Sequence, residues 1–273
     1  MPDWFFCSVL FIFGLLTGSF ANVVIWRFPR GESVVSPPSA CPRCMAQIQW
    51  YDNIPVVSWL VLRGRCRECG EPISPRYPAV ELLCGVLWLA AGLRFGMSLQ
   101  TAFAIVLFFF LLLLAFIDLD TMRLPNPIVG ALFVIGVGGV VFSQLTDIVA
   151  LPLTPLGRGI FGEPVAMALL GALASGGVAL AIAGAYALIR KREGFGMGDV
   201  KLLGSMGVYL GLYGVLVFFA GSILGAAYGI AMNVKKGDSL ATKFPFGPFL
   251  ALAGVLVALF GPAVWSWYLG LLG

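Results

Sequence analysis

Residues 101–126 read TAFAIVLFFFLLLLAFIDLDTMRLPN, an apolar run that ends on two acids, Asp118 and Asp120. A bilayer-spanning helix needs about 20 predominantly apolar residues. A carboxylate at the margin of the hydrocarbon layer is costly enough to mark function by default. A second place of the same kind is Gly196-Met197-Gly198-Asp199, where an acid opens the long apolar stretch 200–232.

The rest of the chain fits that setting. Sixty per cent of the 273 residues are hydrophobic, only 11% are charged, and the mean hydropathy is +0.97. A soluble domain carries about 25% charged residues, so the expected fold is an all-α polytopic membrane protein. The chain contains no histidine. That removes Ser-His-Asp, Cys-His and His-ligated zinc catalysis together and leaves paired carboxylates as the acid–base machinery.

Eight segments qualify as spans: 4–26, 78–95, 99–117, 127–143, 165–189, 199–212, 214–233 and 246–270. The last but two and the last but one come from the stretch 200–232. At about 1.5 Å per residue it is too long for one crossing and calls for a hairpin near Gly211 or Gly214. With the N-terminus outside, alternation places 15 of the 17 basic residues on the inner side, leaving Arg94 and Arg158 outside. That asymmetry is the one expected of cytoplasmic loops, and it puts Asp118 and Asp199 on the cytoplasmic side as well. The first segment is read as an anchored span rather than a signal peptide, because it lacks a basic leading region and is followed at once by Arg27 and Arg30. The outer loop 144–164 shows no site. The net charge of +4 points to no nucleic-acid partner, and the expected surroundings are membrane lipid.

Residues 27–77 form the one sizeable polar segment. Within it lie Cys41-Pro42-Arg43-Cys44 and Cys66-Arg67-Glu68-Cys69. Two such knuckles bring four thiolates into a tetrahedron around zinc, and a closed four-cysteine set implies a structural metal. Two disulfides or redox thiols are the alternative, disfavoured by a reducing cytoplasmic location. An insert of this size has little core, so metal binding would supply folding free energy. Cys7 and Cys84 fall in or beside spans and read as small buried apolar side chains.

On a helix Asp118 and Asp120 point about 200° apart, so a carboxylate pair needs a partner from elsewhere, and Asp199 is the candidate. Gly196 and Gly198 before it leave room for close approach of backbone and substrate. Two carboxylates at one site share a proton: the ionised one activates water, and the protonated one serves the peptide carbonyl and the leaving amine. Simpler roles compete. Asp120 reads as a solvated or helix-terminal residue, Asp199 as a helix cap, Lys201 as a snorkelling side chain, and Glu81 as a polar contact between spans.

The chain resembles the bacterial type IV prepilin peptidases, bifunctional leader peptidase/N-methyltransferases. The resemblance runs from Gly18-Ser19-Phe20-Ala21-Asn22 to Trp26-Arg27-Phe28-Pro29, through both cysteine pairs, Asn53-Ile54-Pro55 and Ser74-Pro75-Arg76-Tyr77-Pro78. It continues to Asp118, Leu124-Pro125-Asn126 and Gly196-Met197-Gly198-Asp199-Val200-Lys201. It implies Asp118 and Asp199 as the catalytic pair, Gly196 and Gly198 as the active-site loop, and Cys41, Cys44, Cys66 and Cys69 as zinc ligands. It also implies removal of a basic leader from prepilins or type II secretion pseudopilins at the cytoplasmic face of the bacterial inner membrane. Methylation of the new N-terminus with S-adenosylmethionine follows; no Gly-rich nucleotide loop is present, and no methyl-donor ligand is assigned. The expected organisation is a first span (1–26), a cytoplasmic zinc-binding loop of four cysteines associated with methyl transfer (27–77) and a membrane aspartyl peptidase domain (78–273). The Gly-x-Gly-Asp element alone is shared with other intramembrane aspartyl proteases, which need no cysteine loop. A proton-coupled transporter is the non-enzyme alternative, and its acids should lie near the midplane.

Overall fold

The computed structural model describes residues 3–146, 148–154, 163–191, 196–236 and 244–272. Among them every extended element is helical, apart from two isolated β-bridges. The chain divides into two compact units, Met1–Met97 and Ser98–Gly273. The span that starts near residue 78 lies in the first of these units.

Helix α1 (Asp3–Arg27), the short α2 (Val57–Val61) and α3 (Arg76–Phe95) make up the first unit together with the cysteine loop. Small residues explain why α3 sides with α1. A Cβ on Gly14 would lie 2.8 Å from Gly85 Cα, and one on Gly18 would lie 2.7 Å from Glu81 Cα. Glycines four apart present a flat face, and close backbone packing of this kind substitutes for the hydrophobic drive that lipid removes. Cys7, Ala21, Cys84 and Ala91 are buried, the cysteines as apolar filling.

The second unit holds α4 (Leu99–Thr121), α5 (Asn126–Thr146), α6 (Pro164–Arg190), α7 (Met197–Leu210), α8 (Gly214–Lys236) and α9 (Gly247–Leu272). Proline in the first turn opens α3, α5, α6 and α9, where its missing N–H costs nothing and its fixed φ suits the helix. Helix α4 starts instead on Ser98, whose hydroxyl accepts the Thr101 N–H.

Helix α7 is the interior element of this unit, with Leu202, Leu203, Met206, Tyr209 and Leu210 fully buried. Gly207 lies against the backbone of Gly171 on α6 so closely that neither position has room for a Cβ. The Tyr209 hydroxyl donates to the Leu132 carbonyl of α5 at 3.1 Å. Residues 148–154 finish the far end of α7: the Leu153 N–H donates to the Tyr209 carbonyl at 2.8 Å, and the Thr154 hydroxyl to the Leu210 carbonyl at 2.5 Å. Those carbonyls belong to the last turn, which has no partners within the helix.

Seven helical stretches among the described residues are long and apolar enough to cross a membrane, one of them the 35-residue stretch Met197–Ala231, which takes in both α7 and α8. That stretch breaks where the sequence reading requires. Gly211 adopts φ +56, and a Cβ on Gly214 would sit 2.9 Å from Gly207 Cα. Residues seven apart on an unbroken helix stand about 10 Å apart along the axis, so the chain has turned back and α7 and α8 are separate helices. The basic residues Arg158, Arg192 and Lys243, and Glu193, lie outside the described residues.

Candidate active site and metal centre

Helix α4 runs past the expected end at 117 and stops at Met122, which takes a left-handed conformation and donates its N–H to the Asp118 carbonyl at 2.8 Å. Asp118 and Asp120 therefore both sit on helix and face opposite ways. Asp118 is 5% exposed, and Asp120 is open to the surface. The Asp118 Oδ2 accepts the backbone N–H of Gly247, at the first turn of α9, over 2.8 Å.

Asp199 stands in the first turn of α7. Its backbone N–H donates to the Gly196 carbonyl at 3.0 Å, and its carboxylate is hydrogen-bonded by the Gly196 backbone amide. The first is an ordinary first-turn backbone bond; the second is the contact by which an acid in the third helical position satisfies the leading amide of its own helix. A second feature accompanies this contact: the Asp118 and Asp199 carboxylates lie within electrostatic range of each other. The two acids that the sequence pairs thus stand near enough for the charge of one to be felt by the other.

The flanking glycines have steric reasons. A Cβ on Gly196 would fall 2.9 Å from Asp199 Oδ2, and one on Gly198 would fall 3.0 Å from the Leu124 Cβ, in the turn that follows α4. The exposed Lys201 also donates to Asn126 Oδ1 at 2.9 Å, tying α7 to the start of α5. Sequence reasoning assigns Gly247 no role; the available signal is Pro245-Phe246-Gly247-Pro248 at the mouth of the last span.

In the first unit, Glu81 is 9% exposed and its Oε2 accepts the Val56 N–H at 2.7 Å, with the Ser19 hydroxyl as a further partner. Val56 holds φ +62, which is unusual for a β-branched residue. The contact joins α3 both to the neighbouring span and to the loop.

The two cysteine knuckles fold alike. The Cys41 N–H donates to the Ala46 carbonyl and the Met45 N–H to the Cys41 carbonyl; in the second knuckle Cys66 pairs with Glu71, and Gly70 with Cys66. Met45 and Gly70, each just after the second cysteine, both take positive φ. Arg43 of one knuckle ion-pairs with Glu71 of the other. Arg67 grips Asp52 through two hydrogen bonds of 2.7 and 2.5 Å.

The sulfurs of Cys41, Cys44, Cys66 and Cys69 all lie within 4.8 Å of one another, with Cys41 and Cys69 at 3.8 Å. A tetrahedral zinc with bonds of about 2.3 Å separates its sulfurs by about 3.8 Å, so the donor set fits such an ion. None of the six cysteines is in a disulfide. The Cys44 and Arg43 backbone amides lower the Cys41 thiol to about 6. The Glu71 amide lowers Cys69, but burial and the three neighbouring thiols outweigh it and push that thiol up to about 12. Four crowded sulfurs resist joint ionisation unless a cation compensates them.

Fold and side chains together define a helical membrane protein with two acids at helix ends in the second unit and a four-cysteine cluster in the first. Residues 12–95 match the bacterial peptidase A24 N-terminal domain, and residues 105–230 match the type IV leader peptidase family. The chain is 36% identical to a prepilin leader peptidase/N-methyltransferase of Aeromonas hydrophila, over 97% of this chain and 94% of that protein. Identity is 34% with the Neisseria gonorrhoeae protein of the same description, over 94% and 93%, and 41% with that of Myxococcus xanthus, over 87% and 67%. No solved structure matches the chain. The chain belongs to the type IV leader peptidase family.

Proposed function

We propose that this protein cleaves the basic leader from type IV prepilins or type II secretion pseudopilins and methylates the new N-terminus, with Asp118 and Asp199 as the catalytic pair. The observation that supports the reading is the electrostatic proximity of two acids from separate helices, in a chain whose full-length relatives are described as prepilin leader peptidase/N-methyltransferases.

One aspartate, ionised, removes a proton from water as the oxygen attacks the peptide carbonyl carbon. The other, protonated, hydrogen-bonds the carbonyl oxygen and then supplies the proton that the departing amine needs. The charge asymmetry of the loops supports an N-terminus outside and a cleavage site at the cytoplasmic face. A basic leader followed by an apolar helix would lie in the membrane with its charged end on that same side.

Cys41, Cys44, Cys66 and Cys69 would hold a structural zinc, which fixes the fold of the loop and takes no part in cleavage. Methyl transfer belongs to the first unit in this reading, and S-adenosylmethionine supplies the methyl group. The test is to incubate membranes containing wild type, Asp118→Asn or Asp199→Asn with a prepilin. Each variant keeps its size and expression but loses about 10²–10⁴-fold in cleavage rate. Near-normal cleavage by either one removes the pair from the mechanism.

A further inference from the structure

We propose that Gly247 is a positioning residue for peptide cleavage: its backbone N–H orients the Asp118 carboxylate, and its missing side chain leaves the space that this carboxylate occupies. The inference rests on the reading of Asp118 as catalytic.

Three observations carry it. The Gly247 N–H is a first-turn donor of α9, with no acceptor in its own helix, and it points at Asp118 Oδ2 over 2.8 Å in a buried setting. The three atoms nearest a Cβ at Gly247 would all belong to Asp118, with Oδ2 at 2.8 Å, Cγ at 3.1 Å and Cβ at 3.2 Å. Gly247 does not use a positive φ, so the backbone itself would accept alanine, and the requirement for glycine comes from the aspartate.

The start of α9 is in turn held from α8. Tyr228, Phe244 and Phe249 pack against one another in tilted and edge-on contacts, with ring centroids 5.3 to 6.1 Å apart. Gly225 admits the Phe246 ring, which a Cβ there would touch at 3.3 Å. An aromatic clamp thus fixes the amide that fixes the acid. Asp199 takes its glycine amide from its own helix, whereas Asp118 takes one from a helix more than a hundred residues further along the chain. Asp118 is the member whose placement depends on the last span.

Gly247→Ala tests this, because it displaces Asp118 while keeping both acids. Gly254→Ala on the same helix is the matched control: the atoms nearest its Cβ would be the ends of flexible side chains, Leu111 Cδ1 at 3.0 Å and Met206 Cε at 3.1 Å. Detergent-purified full-length variants are assayed on a prepilin for kcat and KM, alongside Asp118→Asn. The expected result is a fall of about 10²-fold in kcat for Gly247→Ala, with KM little changed, a displaced pH–rate profile and a melting temperature close to that of Gly254→Ala, which keeps most of its kcat. Wild-type kcat in Gly247→Ala beside an inactive Asp118→Asn overturns this inference and leaves the aspartate pair standing. Equal impairment of both glycine variants makes the role one of packing and overturns it too. An active Asp118→Asn removes the underlying reading, and this one with it.

Discussion

The four cysteines and the two aspartates are assembled in opposite ways. Each cysteine pair is a four-residue knuckle closed by its own backbone hydrogen bonds, and the two knuckles lie in one loop. Asp118 and Asp199 come from α4 and α7, and each is steered by a glycine amide, one of them on α9. The cysteine cluster is a local structure that could hold a metal ion. The carboxylate centre is a long-range structure that exists only if the helices pack correctly. Disturbing the ion should therefore spare cleavage, and disturbing helix packing should not.

The largest effect tests whether the acids act as one unit. Asp118→Asn combined with Asp199→Asn should cleave prepilin no more slowly than either single variant, because groups that share one proton-transfer sequence lose their contribution together. Rates measured over long incubations decide it. Multiplying losses would mean that the two acids contribute separately, and the comparison with the jointly acting thiols would lose its force.

Removing the metal comes next. Cys41→Ser, or a strong chelator, should strip zinc and unfold the loop, since the binding free energy of a small metal module is its folding free energy. N-methylation should fall more than leader cleavage, read by mass spectrometry of the same pilin sample. A full complement of zinc in Cys41→Ser would rule out the four-cysteine site, and equal loss of both activities would tie the two centres together.

The contrast also explains what could be read from the chain. Two residues between paired thiols is a local spacing, so the cluster is visible before any fold. The hairpin at Gly211 is visible for a similar reason: 200–232 is too long for a single crossing. The pairing of Asp118 with Asp199 follows from elimination and membrane depth rather than from spacing. Gly247 cannot be found in this way, since its role is a backbone N–H directed at a distant side chain, and neither its identity nor its neighbours encode that partner. The place of α3 escapes sequence reasoning because seam glycines on α1 and α3, including Gly14, Gly18 and Gly85, speak only as a set. A hydropathy profile records the spans and is blind to which of them touch.

Helix packing supplies a smaller effect. Gly207→Ala sets a methyl group against the Gly171 backbone, which cannot move aside as a flexible side chain can, and overpacking of this kind costs about 1–3 kcal/mol. Gly130→Ala on α5 meets nothing within 4 Å and should leave stability unchanged or slightly raised. Melting temperatures in detergent separate the two, with reduced cleavage expected in Gly207→Ala alone because α7 carries Asp199. Indistinguishable variants would mean that the α6–α7 contact yields more easily than its geometry implies.

The smallest effect lies at the edge of the metal module. The Arg67 guanidinium, through its hydrogen bonds and then its charge, holds the Asp52 carboxyl below the usual aspartate range. An acid whose folded value is depressed adds stability that is fully present above its unfolded value, about 3.9, and that is lost as the pH falls through the folded value. At neutral pH the contribution is therefore complete, but the Arg67 side chain is 49% exposed, so solvent and salt weaken it. Asp52→Asn at pH 7 should slightly lower the chelator concentration that releases zinc. The difference should shrink in 1 M salt, where screening acts within about 3 Å. A shift of equal size at both salt concentrations would assign the contribution to hydrogen bonding alone, and no shift at all would leave the pair without a part in holding the knuckles together.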